Sequence, residues 1–268
     1  MTTLQALILG IIQGLTELLP ISSSGHLDII PWLLGWTNNP GFNEAFEGFD
    51  VALHFGTFLA IGIFFFKDWI RLIVCGFNHV VKKKKTTEGR MFWYLVIATI
   101  PGGIIGLILD TFVGDALKKP VIIAIALIIM GIILYIVDKK AKSSTDYEHM
   151  SFKQTFLIGL SQCLAFIPGV SRSGITMTTG RAMGVDRESV ARYSFMLSAP
   201  IVFAATIFKI KDFAFSIPFF VGIIASFIVG ILVIKWLLKY LQKGSFKIFA
   251  IYRVIFGIII LIFAFART

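Results

Sequence analysis

Six stretches of the chain are apolar for long enough to cross the hydrocarbon core of a bilayer, which takes roughly 20 residues. They run over 49–66, 92–109, 120–137, 189–208, 216–234 and 246–265. Overall, 57% of the residues are hydrophobic and 15% are charged, against about 25% charged in a typical soluble domain. The fold class this implies is an all-α polytopic membrane protein with six spanning helices. The first residues, Met1-Thr2-Thr3-Leu4, carry no basic region or cleavage site of a secretory signal, so this end is expected to stay in the mature protein.

The net charge of +10 raises a nucleic-acid partner; where the charge sits argues against one. Lys82, Lys83, Lys84 and Lys85 share the stretch 67–91 with Lys67, Arg71 and Arg90, and Lys and Arg collect beside spanning helices on the cytoplasmic side. With 67–91 inside, counting through the spans puts 18 of the 25 basic residues in the inner stretches 67–91, 138–153, 181–192 and 235–247. Loop 110–119 and the acidic segment with Glu44 and Glu47 then lie outside. Anionic lipid is the partner the Lys run would attract. Cys75 and Cys163 have no partner spacing and read as apolar packing.

Two further apolar regions, 1–35 and 152–185, are broken by Pro, Gly and consecutive Ser. They correspond at an offset of 149: Gly10 to Gly159, Gln13 to Gln162, Leu15 to Leu164, and Ser22, Ser24 and Gly25 to Ser171, Ser173 and Gly174. Each half, 1–150 and 151–268, is then one broken segment followed by three spans. Three is odd, so the second half inserts upside down. Inverted repeats with broken helices place their sites near the midplane, and irregular backbone at that depth must be buried in protein or line a wet cavity. Both broken regions are therefore expected to be re-entrant hairpins with touching tips.

The first tip reads Gln13-Gly-Leu-Thr-Glu17-Leu-Leu-Pro20-Ile-Ser22-Ser23-Ser24-Gly25-His26, and the second Pro168-Gly-Val-Ser171-Arg172-Ser173-Gly174-Ile-Thr176. Ser24 and Ser173 are the expected N-caps. Two helix starts with free N–H groups, and Arg172 between hydroxyls, describe an anion site suited to phosphate. Glu17, His26 and Arg172 are ionisable at membrane depth, which marks function. A pyrophosphate head brings several negative charges against one obligate cation, so a divalent metal is expected, with Glu17 as its ligand or as general base. Ser23 is the candidate nucleophile and His26 the acid or base. His79 and His149 are expected in solvated loops, His54 in apolar packing with one hydrogen bond, and Arg253 as an ion pair or carbonyl partner. Asp50 has a lesser claim to assist a metal.

At these residues the chain resembles the bacterial undecaprenyl-diphosphatase family, the membrane phosphatases linked to bacitracin resistance. The carriers of the resemblance are QGLTELLPISSSGH (13–26) and PGVSRSGIT (168–176), and it extends over essentially the whole length. It implies hydrolysis of undecaprenyl pyrophosphate to undecaprenyl phosphate at the outer face of the bacterial plasma membrane, with a divalent cation, Mg2+ or Ca2+. It also implies Glu17, Ser23, His26 and Arg172 as the catalytic set, and Gln13, Ser22, Ser24, Gly25, Ser171, Ser173, Gly174 and Thr176 at the phosphates. The family's first acidic position is Gln13 here, which puts a two-carboxylate metal site in question. A polyprenyl pyrophosphate lipid and the bilayer are the expected partners; oligomeric state is open, a homodimer included. The type 2 phosphatidic acid phosphatases share Ser-Gly-His and Ser-Arg motifs but need a second His, and none follows Arg172. A lipid-phosphate transporter or flippase would use the same anion site, without needing Glu17, Ser23 and His26 together.

Overall fold

The computed structural model describes residues 1–112, 115–213 and 215–267, so the loop expected over 110–119 lies partly outside the described residues. Among these, eleven α-helices build the fold: α1 (Thr3–Thr16), α2 (Ser23–Leu33), α3 (Pro40–Phe64), α4 (Phe66–Val81), α5 (Thr87–Phe112), α6 (Pro120–Lys140), α7 (Phe152–Ser161), α8 (Arg172–Ala182), α9 (Arg187–Lys209), α10 (Ile217–Leu241) and α11 (Lys247–Ala266). Six of them, α3, α5, α6, α9, α10 and α11, are long and apolar enough to cross a membrane. They match the six apolar stretches. Isoleucine-, leucine- and phenylalanine-rich outer faces, such as Ile125, Ile129 and Ile132 on α6 and Phe220, Ile224 and Leu232 on α10, stay exposed. Water would penalise such faces and hydrocarbon does not.

The structure departs from the apolar pattern in two places. Helix α3 starts at Pro40, nine residues before its apolar block, because Asn39 caps it by accepting from Gly41 N at 2.9 Å and Pro40 occupies the first turn. The stretch 67–91, read as a loop, holds the amphipathic helix α4. At 16 residues it is too short to span. It lies on α5, with Trp93 Nε1 donating to Gly76 O at 3.1 Å. His79 consequently sits in a helix with Nδ1 buried rather than solvated, whereas His149 is in an exposed loop with Nδ1 2.7 Å from Asp146 Oδ1. That contact holds the Asp146 carboxyl below its usual range.

Helices α1 and α7 are each buried against a long helix of the other half of the chain, α1 on α10 and α7 on α5. Glycine permits both approaches: a Cβ on Gly10 would lie 2.5 Å from Gly222 O, and one on Gly159 would lie 2.3 Å from Ala98 O. Main chain cannot yield as a flexible side chain can. Gly159→Ala is therefore expected to destabilise the fold by about 1–3 kcal/mol, the usual range for overpacking, read as a lower melting midpoint of detergent-purified protein. At the C-terminal end of α6, buried Asp138 accepts from Arg181 Nε at 2.9 Å, Arg187 Nε at 2.8 Å and Phe246 N at 3.1 Å. That knot joins α6, α8, α9 and α11.

Candidate active site

Both tips turn the chain in the same way. Ser22 and Ser171 take φ of 76° and 73°, the left-handed region that non-glycine residues rarely occupy. Each hydroxyl accepts from the main-chain N–H three residues on, Gly25 at 3.3 Å and Gly174 at 3.0 Å. The N-caps are thus Ser22 and Ser171, two residues before the expected Ser24 and Ser173. The reason is conformational: the left-handed turn lets the earlier serine fold back over the first helical turn. Gly25 and Gly174 spend their N–H groups on these caps. The N–H groups of Ser23 and Ser24 in α2, and of Arg172 and Ser173 in α8, are first-turn donors with no carbonyl of their own helix to reach.

The tips meet. Arg172 Nη2 donates to Glu17 Oε1 at 2.5 Å, and Ser173 Oγ donates to Leu19 O at 2.9 Å. Glu17 is 5% exposed and is the hub of the site. Its Oε2 accepts from Ser23 Oγ at 2.5 Å and from Gln13 Nε2 at 3.3 Å. Gln13, Glu17, Ser23 and Arg172 are therefore brought together as expected, Gln13 reaching Glu17 from one helical turn before. Ser24 Oγ lies 3.4 Å from Ser22 Oγ, and Ser173 Oγ lies 3.2 Å from Ser171 Oγ.

Two expected site residues face elsewhere. The His26 ring makes its hydrogen bonds away from Glu17 and Arg172. Its Nδ1 is 2.6 Å from Ser22 O and its Nε2 is 2.7 Å from Tyr252 Oη, and the ring stacks on Phe256. A carbonyl only accepts, so Nδ1 carries the proton, and in the neutral ring Nε2 accepts from the tyrosine. Thr176 Oγ1 donates to Arg172 O at 2.7 Å and lies 2.7 Å from Ser194 Oγ, linking α8 to α9.

His54, expected in apolar packing, lies instead beside Glu17. His54 of α3 has Nδ1 2.9 Å from Gln13 Nε2 and 3.4 Å from Glu17 Oε2, with Nε2 3.8 Å from Asp50 Oδ1. On an apolar helix its spacing is that of a core residue. The one available signal was Asp50 a helical turn earlier, a second ionisable group on the same face. Asp50 is 41% exposed and lies nearer Pro40 than His54 does, so the polar chain Ser23–Glu17–His54–Asp50 runs along α3 toward its N-terminal end.

No group of three or more His, Cys, Asp or Glu side chains that could hold a metal occurs among the described residues. The carboxylate and amide oxygen donors that meet at the hub are the Glu17 carboxylate and Gln13 Oε1, which is buried with no hydrogen-bond partner. That partial set fits a hard cation that completes its shell with phosphate oxygens and water.

The family model for the bacitracin resistance protein BacA matches residues 6–259. The undecaprenyl-diphosphatase of Pelotomaculum thermopropionicum is 47% identical over 270 residues, covering 100% of this chain and 98% of the relative. Those of Desulforudis audaxviator and Caldicellulosiruptor bescii are 43% and 44% identical, each over 100% of both chains.

Proposed function

The chain belongs to the bacitracin resistance protein BacA family, and on that premise we propose that its two Ser-capped tips form one site for the pyrophosphate head of the substrate. The enzyme removes the terminal phosphate of undecaprenyl pyrophosphate, returning undecaprenyl phosphate to cell-wall synthesis and conferring bacitracin resistance. It is a multi-pass membrane protein. The observation that carries the site is the contact of Ser23 and Arg172, from different halves of the chain, with the two oxygens of one carboxylate, Glu17.

In the reading we favour, Glu17 accepts the Ser23 proton as Ser23 Oγ bonds to the terminal phosphorus. The bond from that phosphorus to the bridging oxygen breaks, and undecaprenyl phosphate leaves. Water then cleaves the phosphoserine, releasing phosphate and restoring Ser23. Arg172 exchanges Glu17 for phosphate oxygens, which its planar fork suits. The first-turn N–H groups of both tips, with the hydroxyls of Ser22, Ser24, Ser171 and Ser173, supply the remaining donors. Gly25 and Gly174 keep the main chain close, and Thr176 holds the first turn of α8 from behind. His26 shapes the first tip through the Ser22 carbonyl, and any proton it trades with substrate passes through the Tyr252 hydroxyl. When bound, a divalent cation at Glu17 and Gln13, Mg2+ or Ca2+, neutralises charge on the pyrophosphate. A chelator is expected to abolish phosphate release and excess Mg2+ to restore it; full activity in the chelator would remove the cation from the scheme.

We also propose that 1–35 and 152–185 are re-entrant hairpins of an inverted repeat. Capping boxes at Thr2/Gln5 and Ser151/Gln154 stand 149 residues apart, as do the left-handed caps Ser22 and Ser171. The exchange of partners, α1 on α10 and α7 on α5, is the pattern a two-fold axis in the membrane plane would generate. The charge distribution and the exposed Asp50 support a site opening to the outer face of the plasma membrane. Acid quenching during turnover of substrate labelled in its terminal phosphate tests the covalent step: label should appear on Ser23. Its absence, with Ser23→Ala still active, would transfer the attack to a water activated by Glu17.

A further inference from the structure

Arg253 grips the site from behind. It is carried by α11, is 0% exposed, and directs its hydrogen bonds to main-chain carbonyls. Nη1 donates to Pro20 O at 3.1 Å, Nη2 to Gly169 O at 2.7 Å and Val170 O at 3.0 Å, and Nε to Leu127 O of α6 at 3.3 Å. Pro20 lies two residues before the cap Ser22, and Val170 immediately before the cap Ser171. One guanidinium therefore holds the main chain leading into both left-handed turns. The fit on the second tip is close, since a Cβ on Gly174 would lie 2.6 Å from Nη1. The neighbouring Tyr252 reaches the same place by another route, through its hydroxyl on His26 Nε2.

We propose that Arg253 is a positioning residue for phosphate release: it sets the separation of the two tips, so that donors from both converge on one pyrophosphate. The inference rests on the reading of the tips given above. Two physical points favour spacing over simple filling of the core. A buried cation is disfavoured unless well solvated by the protein, and an apolar side chain would fill the same volume without that penalty. The planar fork also spreads its N–H groups over three nitrogens, so it can hold carbonyls of two separate segments at a defined distance, which the single ammonium of lysine cannot. Misplacement of reacting groups by about 1 Å can lower a rate by roughly 10²-fold.

The test compares Arg253→Lys, Gly174→Ala, Gly25→Ala and Glu17→Gln as detergent-purified proteins, with kcat and KM for undecaprenyl pyrophosphate per folded enzyme and melting midpoints alongside. Arg253→Lys keeps the charge and loses the span; we expect kcat to fall by roughly 10²-fold with the midpoint little changed. Gly174→Ala serves should the lysine variant not fold, with Gly25→Ala as its matched control. Both added methyls crowd a capping serine, but only that at residue 174 meets the guanidinium. Gly174→Ala should lower kcat at least about 10-fold more than Gly25→Ala. Wild-type kcat in folded Arg253→Lys, or equal rates in the two alanine variants, would reduce Arg253 to a structural role. Wild-type activity in Glu17→Gln would instead refute the site itself, whatever Arg253 does.

Discussion

Glu17→Gln is expected to lower kcat for phosphate release from undecaprenyl pyrophosphate by roughly 10³-fold, within the range that a positioned general base contributes. Glutamine is nearly isosteric, so the fold should survive, but its single amide oxygen can accept from only one of Ser23 and Arg172, which now donate to different carboxylate oxygens, and a modest fall in the melting midpoint is expected. What it cannot do is take the Ser23 proton. It also removes the charge that balances Arg172 inside the protein. Steady-state release measured beside a melting curve separates the two effects. A folded variant with more than about a tenth of wild-type kcat would contradict the role of Glu17 as base.

Arg172→Lys is the second large effect, with an expected loss of about 10²-fold in kcat and a raised KM, comparable to removing an oxyanion donor. Lysine keeps the positive charge, so a site needing only charge would tolerate it. The geometry argues for more than charge. Arg172 reaches Glu17 across the junction of the two halves at 2.5 Å, and its own N–H opens helix α8. A guanidinium can pass from the carboxylate to two phosphate oxygens in one plane, whereas an ammonium offers a point contact. In the proposed scheme Arg172 binds the ground state as well as the developing charge, so KM and kcat should both move. A change in KM alone would confine it to substrate capture.

The parts of the site legible in the sequence are those written in contiguous residues. Glu17, Ser23 and Arg172 fell in two short motifs whose Pro and Ser interrupt otherwise apolar segments, and interruption of that kind must be explained by function. The motif could not reveal how the tip turns. Ser24 and Ser173 looked like caps because serine before a helix usually caps it, yet the left-handed φ of Ser22 and Ser171 moves the cap two residues back. Nor could His26, the last residue of the first motif, be seen to turn away toward Tyr252, a residue 226 positions distant.

His54 and Arg253 make the same point from the other side. On their own helices, one is a lone histidine in an apolar run and the other a lone arginine in the last span. Each acquires meaning from a neighbour brought by packing: Glu17 across from His54, and the carbonyls of Pro20, Gly169 and Val170 around Arg253. Helix α4 is too short to span and is punctuated by charge, so only its seat on α5 shows it.

The sequence alone therefore determined the spans, their expected orientation and the two motifs that must meet. Hydropathy and charge act locally and add along the chain, and an apolar stretch of this length has few places to go outside a bilayer. The tertiary structure decided which side chains face one another at the meeting point: Glu17 between Ser23, Arg172 and His54, with Arg253 behind both tips. Those choices depend on helix rotation and close glycine contacts between segments distant in the chain, and no local pattern encodes them.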